Sequence, residues 1–200
     1  MHWRAWRHRD NGTARHSAAE RASANFRETY PGFLALVREA APQQATLVPD
    51  SDGQVTSDHG FDLARDLPRL APMVDQLKRL GVRVSVFVDA GATEGFFEAH
   101  ASGIDRIEIY TGPYAEAFQT GDAGAALAAC VATADAARRA GLGVNAGHDL
   151  DLANLGPFLR TLADVAEVSI GHALIDDALY SGLDRSVRDY LDVIAAATAQ

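Results

Sequence analysis

The sequence predicts an α/β protein, a TIM-type (β/α)8 barrel that is incomplete because its first two strands are missing. From residue 31 onward, short runs rich in Val and Ile alternate with longer amphipathic stretches, as in βα units around a parallel sheet. Strand onsets lie about 23 to 37 residues apart, enough for a strand, a crossover helix and two loops. No glycine-rich dinucleotide fingerprint follows a strand, which favours the barrel over a doubly wound open sheet.

Five apolar runs are predicted as strands. They lie at residues 45–49, 82–88, 106–110, 142–146 and 166–170. A weaker run at 24–28 is a candidate for a sixth strand. A complete barrel has eight strands and about 200 to 250 residues, so the first two strands are expected to be missing.

Helices are predicted between the strands. Their ranges are 31–41, 62–80, 92–101, 121–140, 151–163 and 185–198. In the stretch 121–140, apolar side chains recur at i, i+3, i+4 and i+7, and Gly141 follows as a stop signal. Pro68 and Pro72 predict that the second helix starts late or is divided into two short pieces.

Composition indicates a globular protein of 200 residues and 21.3 kDa, because 48% hydrophobic content is enough for a core. No apolar run approaches the roughly 18 to 20 residues of a membrane helix, and the N-terminus has no apolar signal core. The only cysteine, Cys130, excludes an intrachain disulfide and is expected to be a small buried hydrophobe. A cytoplasmic protein without membrane association is expected.

The net charge of −9 is unevenly distributed. Residues 1–24 carry +3, which leaves −12 for residues 25–200. We predict that 1–24 is a basic, poorly ordered leader and 25–200 a partial barrel domain. An acidic body argues against nucleic-acid binding, although a basic arm remains an alternative role for the leader. Any anionic substrate must then be held by local groups such as the amides of a helix N-terminus.

Several motifs occur together with a recognisable order and spacing. They are TLVPD (46–50), VTSDHGFDL (55–63), VSVFVDA (84–90), IEIYTGPYA (107–115), VNAGHDL (144–150) and VSIGHALI (168–175). Together they resemble the pyridoxine 5′-phosphate synthase family, from about residue 31 to the C-terminus. A different phosphosugar barrel enzyme is disfavoured, because generic barrels do not share both VNAGH and IGHA.

The resemblance implies a (β/α)8 barrel enzyme, in known members usually an octamer, that uses no metal and no organic cofactor. It implies condensation of 1-deoxy-D-xylulose 5-phosphate with 3-amino-2-oxopropyl phosphate to give pyridoxine 5′-phosphate, phosphate and water. The alternative is an inactive, shortened member that binds a phosphorylated ligand or associates with full-length subunits.

Two residues are predicted to be catalytic from both position and resemblance. His148 directly follows a strand, so its imidazole is expected at the barrel mouth, where it matches the family's proton donor. Glu108 lies within a strand, and its side chain is expected to point inward; by resemblance it stabilises the transition state. The structural alternative for His148 is a histidine satisfied by local hydrogen bonds, and the structural alternative for Glu108 is an ion pair inside the barrel.

Phosphate binding is predicted at Gly171 and His172, which follow the last strand and open a short helix. By resemblance, Asp149 also contacts the phosphate of the aminoacetone-type substrate. A carboxylate beside a phosphate is repulsive unless only its backbone amide makes that contact. Thr56 matches a threonine that contacts deoxyxylulose phosphate in the family, although a turn role explains a hydroxyl there equally well.

The family's general-base glutamate is matched by Glu28 if Tyr30 and Pro31 are aligned with a tyrosine-proline pair of the family. An alignment on Asn25 instead places Arg27 there, and an exposed acid is the structural alternative for Glu28. His59 is expected to be a surface loop residue. Asp89 lies at a strand end, where capping the following helix explains it as well as a place in the site.

Overall fold

The computed structural model describes residues 31–49 and 56–199, and in this part five parallel strands form one sheet. The strands are β1 (Gln44–Leu47), β2 (Arg83–Asp89), β3 (Arg106–Tyr110), β4 (Gly143–Gly147) and β5 (Val165–Ser169). Their spatial order is the order of the chain, and every neighbouring pair is parallel. Consecutive parallel neighbours are the arrangement of a barrel, so the fold class predicted from the sequence is confirmed.

Helices connect the strands and cover the outer face of the sheet. They are α1 (Pro31–Ala40), α2 (Leu63–Arg79), α3 (Phe96–Ala101), α4 (Gly112–Thr120), α5 (Gly124–Arg139), α6 (Leu155–Thr161), α7 (His172–Ser181) and α8 (Leu183–Thr198). Ile107 and Ile109 of β3 are fully buried in the core shared with the helices. Glu108 lies between them and faces the opposite side of the sheet, because side chains alternate along a strand.

The sheet is curled, and its concave face is polar. The side chain of Gln44 on β1 donates a hydrogen bond of 3.0 Å to Oε2 of Glu167 on β5. These strands are the two edges of the sheet, so only strong curvature brings their side chains together. The described residues therefore form a five-stranded half-barrel whose interior carries polar groups.

Most predicted elements agree with the structure, and two helices differ. Helix α4 was not predicted, because its first residues are Gly112 and Pro113 and read as a loop, whereas proline is well tolerated in the first helical turn. Helix α2 is one continuous helix that contains Pro68 and Pro72. Both prolines are exposed, while the opposite face of the helix packs into the core.

The leader 1–24, the possible strand at 24–28 and the residue Glu28 lie outside the described residues. Within the described part, no helix is both long and apolar enough to span a bilayer.

Candidate active site

His148 and the Gly171–His172 pair lie at the same edge of the sheet. Strands β4 and β5 are parallel neighbours, and Gly147 is in register with Ser169. His148 follows Gly147 directly, and Gly171 comes two residues after Ser169. Because parallel strands have their carboxyl ends at one edge, both groups belong to one rim, where barrel enzymes carry their active sites.

The backbone holds His148 in an unusual conformation. Its φ is +88°, and that of Asp149 is +57°, a region that non-glycine residues rarely adopt. The buried Thr111 hydroxyl donates to the carbonyl oxygen of Gly147 at 2.8 Å and also contacts the carbonyl oxygen of His148. The end of β4 is thus fixed by a side chain from the end of β3. Such strain concentrates at functional sites.

The His148 ring has a polar neighbour near each nitrogen. Nε2 lies 3.1 Å from the hydroxyl oxygen of Thr56. Nδ1 is buried and lies 2.9 Å from Oδ2 of Asp149, but in a geometry that is not a hydrogen bond. This contact brings the carboxylate oxygen close to the ring without a hydrogen bond. The imidazole is placed between a hydroxyl group and a carboxylate.

Aromatic side chains form a wall beside the imidazole. The ring of Tyr110 meets the His148 ring edge to face, with centroids 5.1 Å apart and an angle of 85° between the planes. Phe87 stands 6.5 Å from His148 and 5.5 Å from Tyr110, measured between centroids. Burial, followed by the field of Asp149 and other nearby carboxylates, raises the pKa of Tyr110, so the phenol stays protonated at neutral pH.

Glu108 is buried in the interior of the half-barrel, as its position in β3 predicts. Its exposed fraction is 7%, and its Oε2 accepts a hydrogen bond of 3.2 Å from the Thr46 hydroxyl. A Cβ atom added to Gly147 would lie 2.3 Å from Oε1, so this oxygen lies against the backbone just before His148. Burial raises the pKa of Glu108 above its usual range, although hydrogen bonds from Ser169 and Thr46 oppose this effect.

Toward the amino ends of the strands, the interior is occupied by a charged network around Glu167. Its Oε1 pairs with Arg106 at 2.8 Å and Arg83 at 3.3 Å. Its Oε2 accepts from Gln44 at 3.0 Å and from Asn145 at 3.4 Å. One carboxylate is thus bound by side chains from all four other strands, which fixes the curvature of the sheet.

Gly171 and His172 begin α7 as predicted. Gly171 is the N-cap, and its carbonyl accepts the first intrahelical bond, from the Ile175 amide at 3.1 Å. The amides of the first turn have no intrahelical partner by the geometry of a helix, and they form a favourable position for an anion. Gly171 and His172 are both exposed.

Two further expectations from the sequence are confirmed. Cys130 is fully buried, and desolvation raises the pKa of its thiol to about 11. His59 is an exposed loop residue, with Nδ1 2.6 Å from Oδ1 of Asp58.

Of the two roles left open for Asp89, capping of the following helix is wrong. Gly95 is the N-cap of α3, and the Asp89 carboxylate instead accepts from the Gly60 amide at 2.7 Å. The reason is close packing, since a Cβ at Gly60 would lie 2.3 Å from the Asp89 backbone nitrogen. Asp89 thus fastens the loop that carries Thr56 to the end of β2.

The sequence indicated no site role for four residues that contact the candidate site residues: Thr46, Tyr110, Thr111 and Ser169. Thr46 and Ser169 alternate with outward-facing residues, so the period-two pattern of β1 and β5 was an available signal. Among the described residues, no three side chains of the types that usually bind metal ions converge on one point.

The fold and the site define the class of protein. It is an α/β-barrel protein with an imidazole, a buried carboxyl group and a helix N-terminus around the carboxyl ends of parallel strands. The chain belongs to the family described as "Pyridoxal phosphate biosynthesis protein PdxJ", whose model matches residues 14–196.

Curated relatives of the chain have consistent names. It is 58% identical over 168 residues to the pyridoxine 5′-phosphate synthase of Xanthomonas axonopodis pv. citri (strain 306), covering 84% of this chain and 66% of that protein. It is 56% identical over 171 residues to the pyridoxine 5′-phosphate synthase of Xylella fastidiosa (strain M12), covering 86% and 65%. The aligned part thus spans just under two thirds of the length of these relatives.

Proposed function

We propose that this protein is a pyridoxine 5′-phosphate synthase. The reaction would condense 1-deoxy-D-xylulose 5-phosphate with 3-amino-2-oxopropyl phosphate and release pyridoxine 5′-phosphate, phosphate and water. The main support is that the buried carboxyl group of Glu108 lies against the backbone of Gly147, the residue directly before His148. The names of the relatives support the choice of reaction.

His148 is the proposed acid. Its Nε2 faces the Thr56 hydroxyl 3.1 Å away, a position from which it can serve an oxygen of a bound substrate. Loss of water from an alcohol needs a proton on the departing oxygen, and the imidazole supplies it. Thr56 is proposed to contact deoxyxylulose phosphate and to exchange its hydrogen bond with His148 for one to this substrate.

Glu108 is proposed to stabilise charge in the transition state. In its protonated form it donates a hydrogen bond to a developing oxyanion, and as a carboxylate it stabilises a developing cation. Burial strengthens both interactions, because fewer water molecules screen them. Glu28 is proposed as the general base that completes the acid–base chemistry.

The phosphate of the amino ketone is proposed to bind at the N-terminus of α7, with Gly171 and His172. The exposed amides there can reach an anion without displacing protein contacts. The Asp149 carboxylate is directed to Nδ1 of His148, which leaves its backbone amide as the group for the phosphate. A phosphate there would lie at the same rim as the acid.

Incubation of the purified protein with both substrates tests the proposal. Release of inorganic phosphate together with pyridoxine 5′-phosphate is expected, and His148→Asn is expected to slow the release of both by about 10²- to 10⁴-fold. Binding of either phosphate ester in calorimetry without turnover would contradict the synthase and support a non-catalytic member of the family. A cytoplasmic homo-oligomer, an octamer by resemblance, is also proposed; cell fractionation and light scattering test these two points.

A further inference from the structure

We propose that Thr46 and Ser169 are positioning residues that hold the Glu108 carboxyl group against Gly147, directly before the imidazole of His148. This inference rests on the proposed function, because a fixed carboxyl orientation matters where Glu108 acts on a substrate.

The first observation is a contact across the inside of the half-barrel. Thr46 is on β1 and Glu108 on β3, with β2 between them, yet the Thr46 hydroxyl donates to Oε2 at 3.2 Å. The residue of β2 in register with Thr46 is Ser85. A small residue there leaves open the space that this contact crosses.

The second observation concerns the other carboxyl oxygen. A Cβ on Gly147 would lie 2.3 Å from Oε1 of Glu108 and 2.9 Å from Cβ of Ser169. Gly147 thus has Glu108 on one side and Ser169 in register on the other. The carboxyl group therefore lies between Thr46 of β1 and Gly147 of β4, and Ser169 of β5 lies next to Gly147.

The arrangement fits a positioning role, because a buried carboxyl group without hydrogen-bond donors can rotate and favours its protonated form. Hydrogen bonds from Ser169 and Thr46 lower the pKa of Glu108 against the larger effect of burial, and the nearby charge of Glu167 on β5 raises it. Arg83 and Arg106 pair with Glu167 and reduce that effect. The Thr46 hydroxyl therefore fixes the direction of the Glu108 carboxyl group, and both hydroxyl groups oppose the effect of burial on its pKa.

The test is a titration that does not depend on activity. The protein is labelled with glutamate carrying ¹³C at Cδ, and the Glu108 signal is assigned by its loss in Glu108→Gln. Thr46→Val removes the hydroxyl while keeping the shape, so an upward shift in the pKa of Glu108 is expected. Thr46→Ser is expected to restore the wild-type titration. Thr161→Val, on the exposed end of α6, is the matched control and should change nothing.

A second variant covers the case in which Thr46→Val does not fold. Ser169→Ala changes an exposed residue at the end of an edge strand, and it should shift the titration in the same direction. If the Glu108 titration is unchanged in Thr46→Val and Ser169→Ala, the positioning role is wrong. The same conclusion follows if Thr46→Ser does not restore it.

Kinetics separate this inference from the proposed function. With both substrates, Thr46→Val is expected to lower kcat about tenfold, the effect of one hydrogen bond to a charged group, with little change in KM. If the wild-type protein shows no turnover but the Glu108 titration is shifted in the variants, the synthase is contradicted and the positioning of Glu108 stands. Normal turnover with unshifted titrations would contradict the positioning alone.

Discussion

The hydroxyl oxygen of Thr56 lies 3.1 Å from Nε2 of His148, although 92 positions separate the two residues in the sequence. The sequence predicts His148 at the mouth of the barrel and Thr56 either in contact with deoxyxylulose phosphate or in a turn, but it does not predict a contact between them. The structure pairs them directly. Asp89 makes this possible, because it binds the Gly60 amide and so holds the Thr56 loop over the strand ends.

The Thr56–His148 pair gives the first prediction. Thr56→Val is expected to lower kcat/KM for phosphate release about tenfold, because Nε2 loses a partner and the substrate loses a hydroxyl contact. Thr56→Ser should retain most of the activity. The measurement is steady-state phosphate release, with Thr120→Val on the exposed end of α4 as the control. Equal rates in Thr56→Val and wild type would refute the contribution of this hydroxyl.

His148 is the subject of the second prediction. His148→Asn is expected to reduce kcat by about 10²- to 10⁴-fold, the usual contribution of general acid–base catalysis. The amide of asparagine has similar polarity but does not transfer a proton at neutral pH. His59→Asn, in the exposed loop, is the control. A His148→Asn enzyme that keeps more than half of the wild-type rate would exclude His148 as the acid.

The third prediction concerns the lack of room for a side chain at Gly147. Gly147→Ala places a Cβ 2.3 Å from Oε1 of Glu108 and 2.9 Å from Cβ of Ser169, so Glu108 must move. We expect a loss of about 1 to 3 kcal/mol in the free energy of unfolding, typical of overpacking, together with a large loss of phosphate release. Urea denaturation measures the loss of stability, and steady-state phosphate release measures the loss of activity.

The control for Gly147 is Gly124→Ala at the start of α5. Among the described residues, no atom apart from the chain neighbours and the backbone of α5 itself lies within 4 Å of the Cβ that this change adds. Its stability should equal or slightly exceed that of wild type, because alanine favours a helix more than glycine. If both alanine variants behave alike, close packing at Gly147 does not constrain Glu108.

Glu108 predicts a dependence of stability on pH. Burial raises its pKa in the folded protein, so its favourable contribution is complete below the unfolded value of about 4.5. That contribution is lost as the pH rises through the folded value. The Gln side chain of Glu108→Gln is neutral at every pH, so the stability of this variant relative to wild type should increase from pH 5 to pH 8. Its phosphate release should be lower than that of wild type.

Urea denaturation at several pH values measures this difference. Glu94→Gln, at an exposed position, is the control and should show no such trend. A constant difference between Glu108→Gln and wild type across the range would contradict a raised pKa of Glu108.

Asp66 predicts the opposite dependence. Hydrogen bonds from the Arg65 guanidinium at 3.1 and 3.0 Å lower the pKa of Asp66 more than burial raises it, and Oδ2 also accepts from the Asp62 amide at 3.1 Å. Its stabilisation is present above the unfolded value of about 3.8 and lost as the pH falls through the folded value. Asp66→Asn should cost about 1 kcal/mol at pH 7.

Thermal denaturation at pH 7 and at pH 3 checks this prediction, and the difference between Asp66→Asn and wild type should shrink at pH 3. Asp75→Asn, which breaks an exposed ion pair with Arg79, is the control with a much smaller effect. A difference that does not depend on pH would mean that the ionised carboxylate of Asp66 does not stabilise α2.

Local patterns in the sequence predicted much of the fold. The range 106–110 is a strand with the predicted bounds, because Ile107 and Ile109 alternate with polar residues. The interpretation of Pro68 and Pro72 failed for a tertiary reason. Both prolines face solvent, so packing of the opposite face holds α2 together despite the missing hydrogen bonds.

The candidate site also divides into residues that local motifs indicated and contacts that depend on tertiary structure. The motifs indicated His148, Glu108 and the Gly171–His172 pair, because these residues follow or lie within recognisable strands. The sequence did not predict which side chains contact these residues, although it named Thr56 and Asp149 as members of the site. Thr46 is two strands away from Glu108, and its contact exists only because the sheet is curled.

The sequence by itself determined the parallel α/β class, the positions of the five described strands and the family to which the chain belongs. These depend on local periodicity and on motifs, which need no knowledge of distant contacts. The tertiary structure alone decided that Thr56 meets His148 and that Thr46 reaches Glu108. The physical reason is that curvature and register join residues far apart in the chain, and no local pattern encodes the distance between them.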